Sequence, residues 1–197
     1  MRRSPVHCIP VLFWMGVLLA LSPALAKDRR VTALPENVAQ KATVTASSEY
    51  DARYQAHNVI DGEIPEAGSR DDAGRAWCVR NTTAKDRGEL HFTWDRPVEI
   101  AELILFGRTA FSLQECWKDY ELYIDGEPAC VMRGRLEQTD QPQRIPLPET
   151  RRIRSLVLRF LNSHGGPNPG VSELMAFRER VRDEALLRWL GREEEYP

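Results

Sequence analysis

The 197-residue chain carries 27 basic and 29 acidic residues, and 42% of its residues are hydrophobic. That length suits one domain rather than two. The near-balanced charge lacks the basic excess expected of a nucleic-acid binder, which excludes that class of partner.

Three zones open the chain. Arg2 and Arg3 give a cationic start, Ile9 to Leu21 is apolar and uncharged, and Ala24-Leu25-Ala26 supplies the small-x-small pattern of a signal-peptidase site. Pro10 and Pro23 interrupt the apolar region, which is shorter than the roughly 20 residues that span a bilayer. The expectation is therefore a cleavable signal peptide, residues 1–26, and not a membrane anchor. Cys8 precedes the apolar run without a lipobox around it, which argues against a lipoprotein. Cleavage removes Arg2 and Arg3, so 27 basic residues become 25 against 29 acidic, a balance of −4. The mature chain is expected to be secreted or periplasmic, with no transmembrane segment. Three cysteines then remain, and an oxidising compartment favours a bridge. Connectivity is not fixed by sequence. Cys78 and Cys116 both stand beside loop-like sequence and a tryptophan (Trp77, Trp117), so Cys78–Cys116 is the expected pair, with Cys130 left over.

Residues 27–36 read as a polar lead-in. From Ala42 onward the chain falls into short alternating runs: Ala42–Ser47, Glu89–Asp95, Val98–Phe106, Tyr120–Ile124, Ala129–Met132, Gln143–Leu147, Leu156–Leu161 and Leu174–Phe177. Period-two alternation with β-branched and aromatic residues predicts strands. Asp61-Gly62, Asp95–Pro97, Asp125-Gly126 and Gly165–Gly170 carry the turn chemistry between them. About eight strands without intervening helices imply an all-β antiparallel sandwich or jelly roll. Residues 62–76 are a long polar loop, longer than compact domains usually carry without a function. In the tail, residues 180–197, Val181, Ala185, Leu186, Trp189 and Leu190 recur at helical spacing and predict a short amphipathic helix. That helix either folds back on the domain or docks a partner.

Four segments, in order, resemble the discoidin or coagulation factor 5/8 type C domain, within the galactose-binding-like superfamily and most like its bacterial carbohydrate-binding modules. They are Asn37–Tyr50, Ala56–Gly62 with its Asn-x-x-Asp-Gly loop, Arg154–Phe160 and Ser172–Phe177. The resemblance covers residues 37–179. It implies an eight-stranded jelly-roll β-sandwich without catalytic activity, with a ligand held by loops at one end. It also implies a structural calcium ion and no organic cofactor, with Asp61 and Glu173 at the matching positions and the carbonyls of His57 and Glu63 as further ligands. Calcium takes six to eight hard oxygens, so this donor set is reasonable. The family usually reaches a tryptophan soon after Asp-Gly, whereas some fourteen residues intervene before Trp77 here. That insertion falls where the ion site is expected.

Sugar recognition needs a flat apolar face against the pyranose ring and directional partners for its hydroxyls. Residues of those types at predicted strand ends are Tyr54, Arg80, Arg108, Phe111, Trp117, His164 and Asn168. Phe111 and Trp117 bracket a loop and would otherwise leave apolar surface in water. Trp77, Tyr50, Trp94, Tyr120 and Phe160 are expected in the core. No GxSxG elbow, HExxH helix or phosphate-cradling loop is present. The expected function is non-catalytic glycan binding. The alternative is a protein-interaction module that uses the C-terminal helix and the 62–76 loop.

Overall fold

The computed structural model describes residues 33–80, 87–192 and 194. The expected signal peptide lies outside the described residues. Among the described residues there are seven strands: β1 Thr43–Ala46, β2 Trp77–Cys78, β3 Gly88–Gly107, β4 Asp119–Ile124, β5 Met132–Arg135, β6 Gln143–Phe160 and β7 Gly170–Phe177. They pair antiparallel in the order β2-β7-β3-β6-β4-β5, with β1 on β3.

The two longest strands explain why seven elements replace the expected eight. Residues Gly88–Thr93 of β3 pair with Ser155–Phe160 of β6, and Leu90–Thr93 among them with β1; Glu102–Gly107 pair with β7. Between these halves the register with β6 breaks twice, at Thr93/Val98 and at Ile100/Glu102. Bulges bend a strand without ending it, so β3 and β6 each cross from one layer of the sandwich to the other. Asp95–Pro97, expected as a turn, is such a bulge, and Pro97 is tolerated there because no ladder bond needs its missing N–H.

The core lies between the layers. Leu90, Phe92 and Trp94 alternate inward from one half of β3, and Leu103 and Leu105 from the other, against Leu156, Leu158 and Phe160 of β6. Each large apolar side chain withdrawn from water contributes about 1.5–3 kcal/mol before entropy is counted. One expected strand is displaced. Asp125 and Gly126 reverse the chain with positive φ (48° and 72°), and the following strand begins at Met132, later than the Ala129–Met132 run suggested. Gly134 in that strand is required by packing, since a Cβ there would sit 2.4 Å from the Tyr120 hydroxyl.

Every residue of β7 is buried, because its outer face is covered as well. Ile104, Phe106, Met175 and Phe177 form a second cluster with Val181 and Leu186 of the tail. The tail helix, α1 Asp183–Trp189, thus folds back on the domain. Arg144 fastens it, pairing with Glu102 at 2.9 Å and also with Asp183 and the Val181 carbonyl. Glu102 in turn accepts the Val181 N–H at 2.9 Å. Of the two uses expected of this helix, folding back on the domain is the one that buries Ala185 and Leu186, while Trp189 stays 39% exposed.

Candidate functional site

At the end of the sandwich where β3 finishes and β7 begins, three segments enclose a cleft of about 490 Å³. Tyr50, Arg53 and Tyr54 form one wall, Phe111 and Ser112 the other, and Pro167-Asn168 closes the side. The two tyrosine rings meet edge to face at 5.7 Å. Phe111 is 45% exposed and lies over the Arg108 guanidinium at 5.0 Å.

Arg108 is the floor. It is only 4% exposed, and its donors are largely taken. Nε donates to Asp72 Oδ2 at 2.7 Å and Nη2 to Asp72 Oδ1 at 3.4 Å. Nη1 donates to Glu115 and to the Asn168 carbonyl at 3.0 Å. The Tyr54 hydroxyl donates to Asp72 Oδ1 at 3.1 Å, and the guanidinium stacks on the Tyr54 ring at 5.1 Å. Burial pushes the Glu115 carboxyl above the usual carboxylate range, against the opposing pull of Arg108. Burial also raises the Tyr54 hydroxyl, with Asp72 adding to the effect. Gly170 makes the close approach possible: a Cβ there would stand 2.1 Å from the Trp77 carbonyl oxygen.

Asp72 reaches this floor from the 62–76 loop, which is pinned to the domain. Gly68 N–H donates to the Thr109 carbonyl at 3.1 Å, Arg70 N–H to Ala110 at 2.9 Å, and Gly74 N–H to Arg53 at 2.7 Å. The loop therefore ties one cleft wall to the other. Ile64, within it, packs against the outer cluster that the tail helix covers.

Of the residues expected from sequence, the structure brings Tyr54, Arg108, Phe111 and Asn168 together here. Arg80 stands just outside, with its guanidinium over the Tyr50 ring at 4.8 Å and Nη2 donating to the Tyr50 carbonyl at 3.0 Å. Two expectations are corrected. Trp117 is 1% exposed and stacks on Phe160 at 4.8 Å within the core, so it offers no face to a ligand. His164 is tied to the Leu136 carbonyl at 3.1 Å, away from the cleft. Tyr50, expected in the core, is a half-buried cleft wall. Asp72 and Glu115 were not anticipated. The 62–76 loop and the 109–118 segment stand out in the sequence, but nothing in their spacing shows that an acid from each meets one arginine.

The expected Cys78–Cys116 bridge is also corrected, since Cys78, Cys116 and Cys130 are all free thiols. Cys78 and Cys116 pair with Gly170 from opposite sides, which separates them by two strand spacings, about 9–10 Å. A disulfide needs Cα atoms within about 7 Å. Burial pushes the Cys78 thiol up to about 12 and Cys116 to about 11.

Glu173 lies beneath the Asp61-Gly62 turn. It is 0% exposed, its Oε2 accepts the Gly62 N–H at 3.1 Å, and its Oε1 is buried with no hydrogen-bond partner. Burial, with a smaller contribution from Asp61, pushes its carboxyl up to about 8. An orphaned buried carboxylate oxygen next to a second acid fits a hard cation. No group of three or more His, Cys, Asp or Glu suited to a metal occurs among the described residues, so a cation here would draw its remaining oxygens from backbone carbonyls.

A larger hollow of about 590 Å³ lies on the outer face of the β1/β3/β6/β4 layer. There Glu89 accepts from Arg159 at 2.6 Å, and Glu121 pairs with Arg133 at 2.7 Å. Both of its acids are paired with arginines and it presents no exposed aromatic ring, so the smaller cleft is the better candidate.

No curated protein matches the chain. Solved structures share its fold. The family 32 CBM from Clostridium perfringens NanJ, in complex with galactose, is 16% identical over 71% of this chain and 96% of that one, with a TM-score of 0.59. A Streptococcus pneumoniae fucose binding module is 19% identical over 74% and 96%, at 0.56. The F5/8 type C domain of a Bacteroides fragilis protein is 18% identical over 75% and 97%, at 0.57. At these identities the likeness is one of fold, the galactose-binding-like β-sandwich. Residues 37–177 match the family described as "Domain of unknown function (DUF7402)", and the chain belongs to that family.

Proposed function

We propose that the chain is an exported, non-catalytic module that binds a glycan in the Tyr50–Tyr54/Phe111/Asn168 cleft. The observation that carries this reading is Phe111, a large ring left 45% exposed at the mouth of a cleft whose other wall is aromatic. Exposed aromatic surface in a concave site is suited to stacking on a sugar face. Asn168 supplies a side-chain amide for hydroxyl recognition. The fold is shared with modules described as complexed with galactose or as fucose-binding, which supports the same reading.

A glycan array on the mature chain tests it, followed by affinity electrophoresis. Phe111→Ala is expected to weaken binding at least about tenfold, the scale of losing one stacking contact, with an unchanged melting temperature. Absence of binding to any glycan, or an unaffected Phe111→Ala, would sink the proposal. Export is tested by N-terminal sequencing of the extracytoplasmic protein, which should begin at Lys27.

We propose calcium as a structural ion at Glu173, with Asp61 and neighbouring loop carbonyls, among them those of His57 and Glu63, as the other ligands. Its contribution would be to neutralise the buried carboxylate and hold the Asp61-Gly62 turn against β7.

A further inference from the structure

We propose that Asp72 is the specificity-determining residue of the cleft: it cancels the charge of Arg108, leaving a receptor for uncharged sugars that excludes acidic ones. This rests on the reading of the cleft as a glycan site. An arginine at the floor of a sugar-sized cleft would by itself mark an anion receptor, because the planar fork of the guanidinium grips a carboxylate through two parallel N–H donors. Here the Nε/Nη2 edge that would do so is already filled by the two Asp72 oxygens. The Nη1 side is filled by Glu115 and the Asn168 carbonyl.

The floor thus holds two carboxylates and one guanidinium, with no positive charge left for an acidic ligand. On the rim, the Arg53 Nη2 pairs with Asp51 at 2.7 Å, and the Arg80 guanidinium is turned onto the Tyr50 ring and carbonyl outside the cleft, where it too acts on Asp51. An acidic sugar would meet like charge at a desolvated floor, a juxtaposition that discriminates strongly against a wrong partner. The sugar hydroxyls of a neutral ligand meet no such penalty.

Asp72 is delivered to this position, not merely adjacent to it. It is 1% exposed although it belongs to a polar surface loop. The backbone bonds from Gly68, Arg70 and Gly74 anchor the loop to both cleft walls and aim its carboxylate inward. Arg70 adopts a positive φ of 60° within that path, a conformation that non-glycine residues hold only when surrounding structure requires it. The insertion that separates Asp61-Gly62 from Trp77 therefore serves the ligand cleft.

The experiment is affinity electrophoresis of the mature chain through gels containing acidic polysaccharides and the carboxyl-reduced forms of the same polymers. Wild-type protein is expected to be retarded by the carboxyl-reduced forms about tenfold or more strongly than by their acidic parents. Asp72→Asn should bring that ratio below about threefold by gaining affinity for the acidic forms. Glu115→Gln should move it in the same direction while leaving the loop anchor intact, and melting curves identify any variant that fails to fold. Wild-type retardation by acidic polymers as strong as by neutral ones overturns the inference, as does an unchanged ratio in a folded variant; in both cases glycan binding itself stands. No retardation of wild type in any gel removes the glycan reading, and the inference with it.

Discussion

Phe111 and Trp117 flank one short segment, yet their environments are opposite, and single substitutions should separate them. Trp117→Ala removes a ring that packs in a triangle with Trp77 and Phe160, and aromatic truncations in a packed core cost about 3–5 kcal/mol. Against a typical total of about 5–15 kcal/mol, that variant should unfold at markedly lower denaturant concentration or fail to accumulate. Phe111→Ala should change stability by no more than about 0.5 kcal/mol, as for exposed positions generally. Equal denaturation midpoints for the two variants would contradict the burial assigned to Trp117. The thiols give a second residue-level prediction. Only the thiolate attacks disulfide reagents, and burial holds Cys78 and Cys116 up to about 12 and about 11. At pH 8 the native mature chain should therefore react at Cys130 alone, and at all three cysteines once unfolded. The sign of the linkage follows: a folded value raised above the ordinary 9 makes the contribution complete below about pH 9, and the contribution is lost as pH rises towards 12. Early alkaline loss of stability, below pH 8, would not come from these thiols.

Among the elements, the tail helix and the bent strands carry the argument. Removing residues 180–197 uncovers Ile104, Phe106, Met175 and Phe177, which the tail now covers with Val181 and Leu186. The truncated chain is expected to bind a hydrophobic dye, to melt several degrees lower and to aggregate on heating. Arg144→Ala should reproduce part of that effect by leaving the nearly buried Glu102 carboxylate without its guanidinium. A truncated chain that melts and stays soluble like the parent would show that the tail covers nothing of consequence. This level was also the most legible in sequence. The apolar spacing of Val181, Ala185 and Leu186 announced a helix, and inward alternation at Leu90, Phe92 and Trp94 announced a strand, because both patterns are local. Arg108 shows where legibility stops. Its position at a strand end was visible, but its burial depends on Asp72 and Glu115, which lie 36 residues before and 7 residues after it. Trp117 failed for the same reason: a loop-flanking aromatic looks exposed until Phe160 and Trp77 are folded onto it. The separation of Cys78 and Cys116 is equally non-local, since it depends on Gly170 standing between them.

Across the whole molecule, two contacts join the first part of the domain to its last strand: Ala176 N–H to Asn37 Oδ1, 139 residues apart, and Gly62 N–H to Glu173, 111 residues apart. A cation held by the second, orphaned oxygen of Glu173 would bind only where the Asp61-Gly62 turn and β7 have already met, which is to say only the folded state. Ligands with that preference stabilise by mass action, by about 2.7 kcal/mol when present at 100 times their dissociation constant. For a chain of this size each kcal/mol raises the midpoint by about 2–4 °C, so saturating calcium should raise the melting temperature by about 5–11 °C over chelated protein. Magnesium should do less, since it demands a tighter octahedron and gives up its water reluctantly. Glu173→Gln keeps an acceptor for Gly62 N–H and removes the charge that pays for desolvating the ion. The calcium-dependent rise should therefore vanish, while the chelated variant melts no lower than chelated wild type, because an amide is neutral without taking up a proton, whereas the Glu173 carboxyl, pushed up to about 8, must be protonated to be so. A calcium response that survives in Glu173→Gln would place the ion elsewhere. The absence of any response in wild type would leave the raised carboxyl as a protonated, purely structural acid that closes the turn onto the sheet.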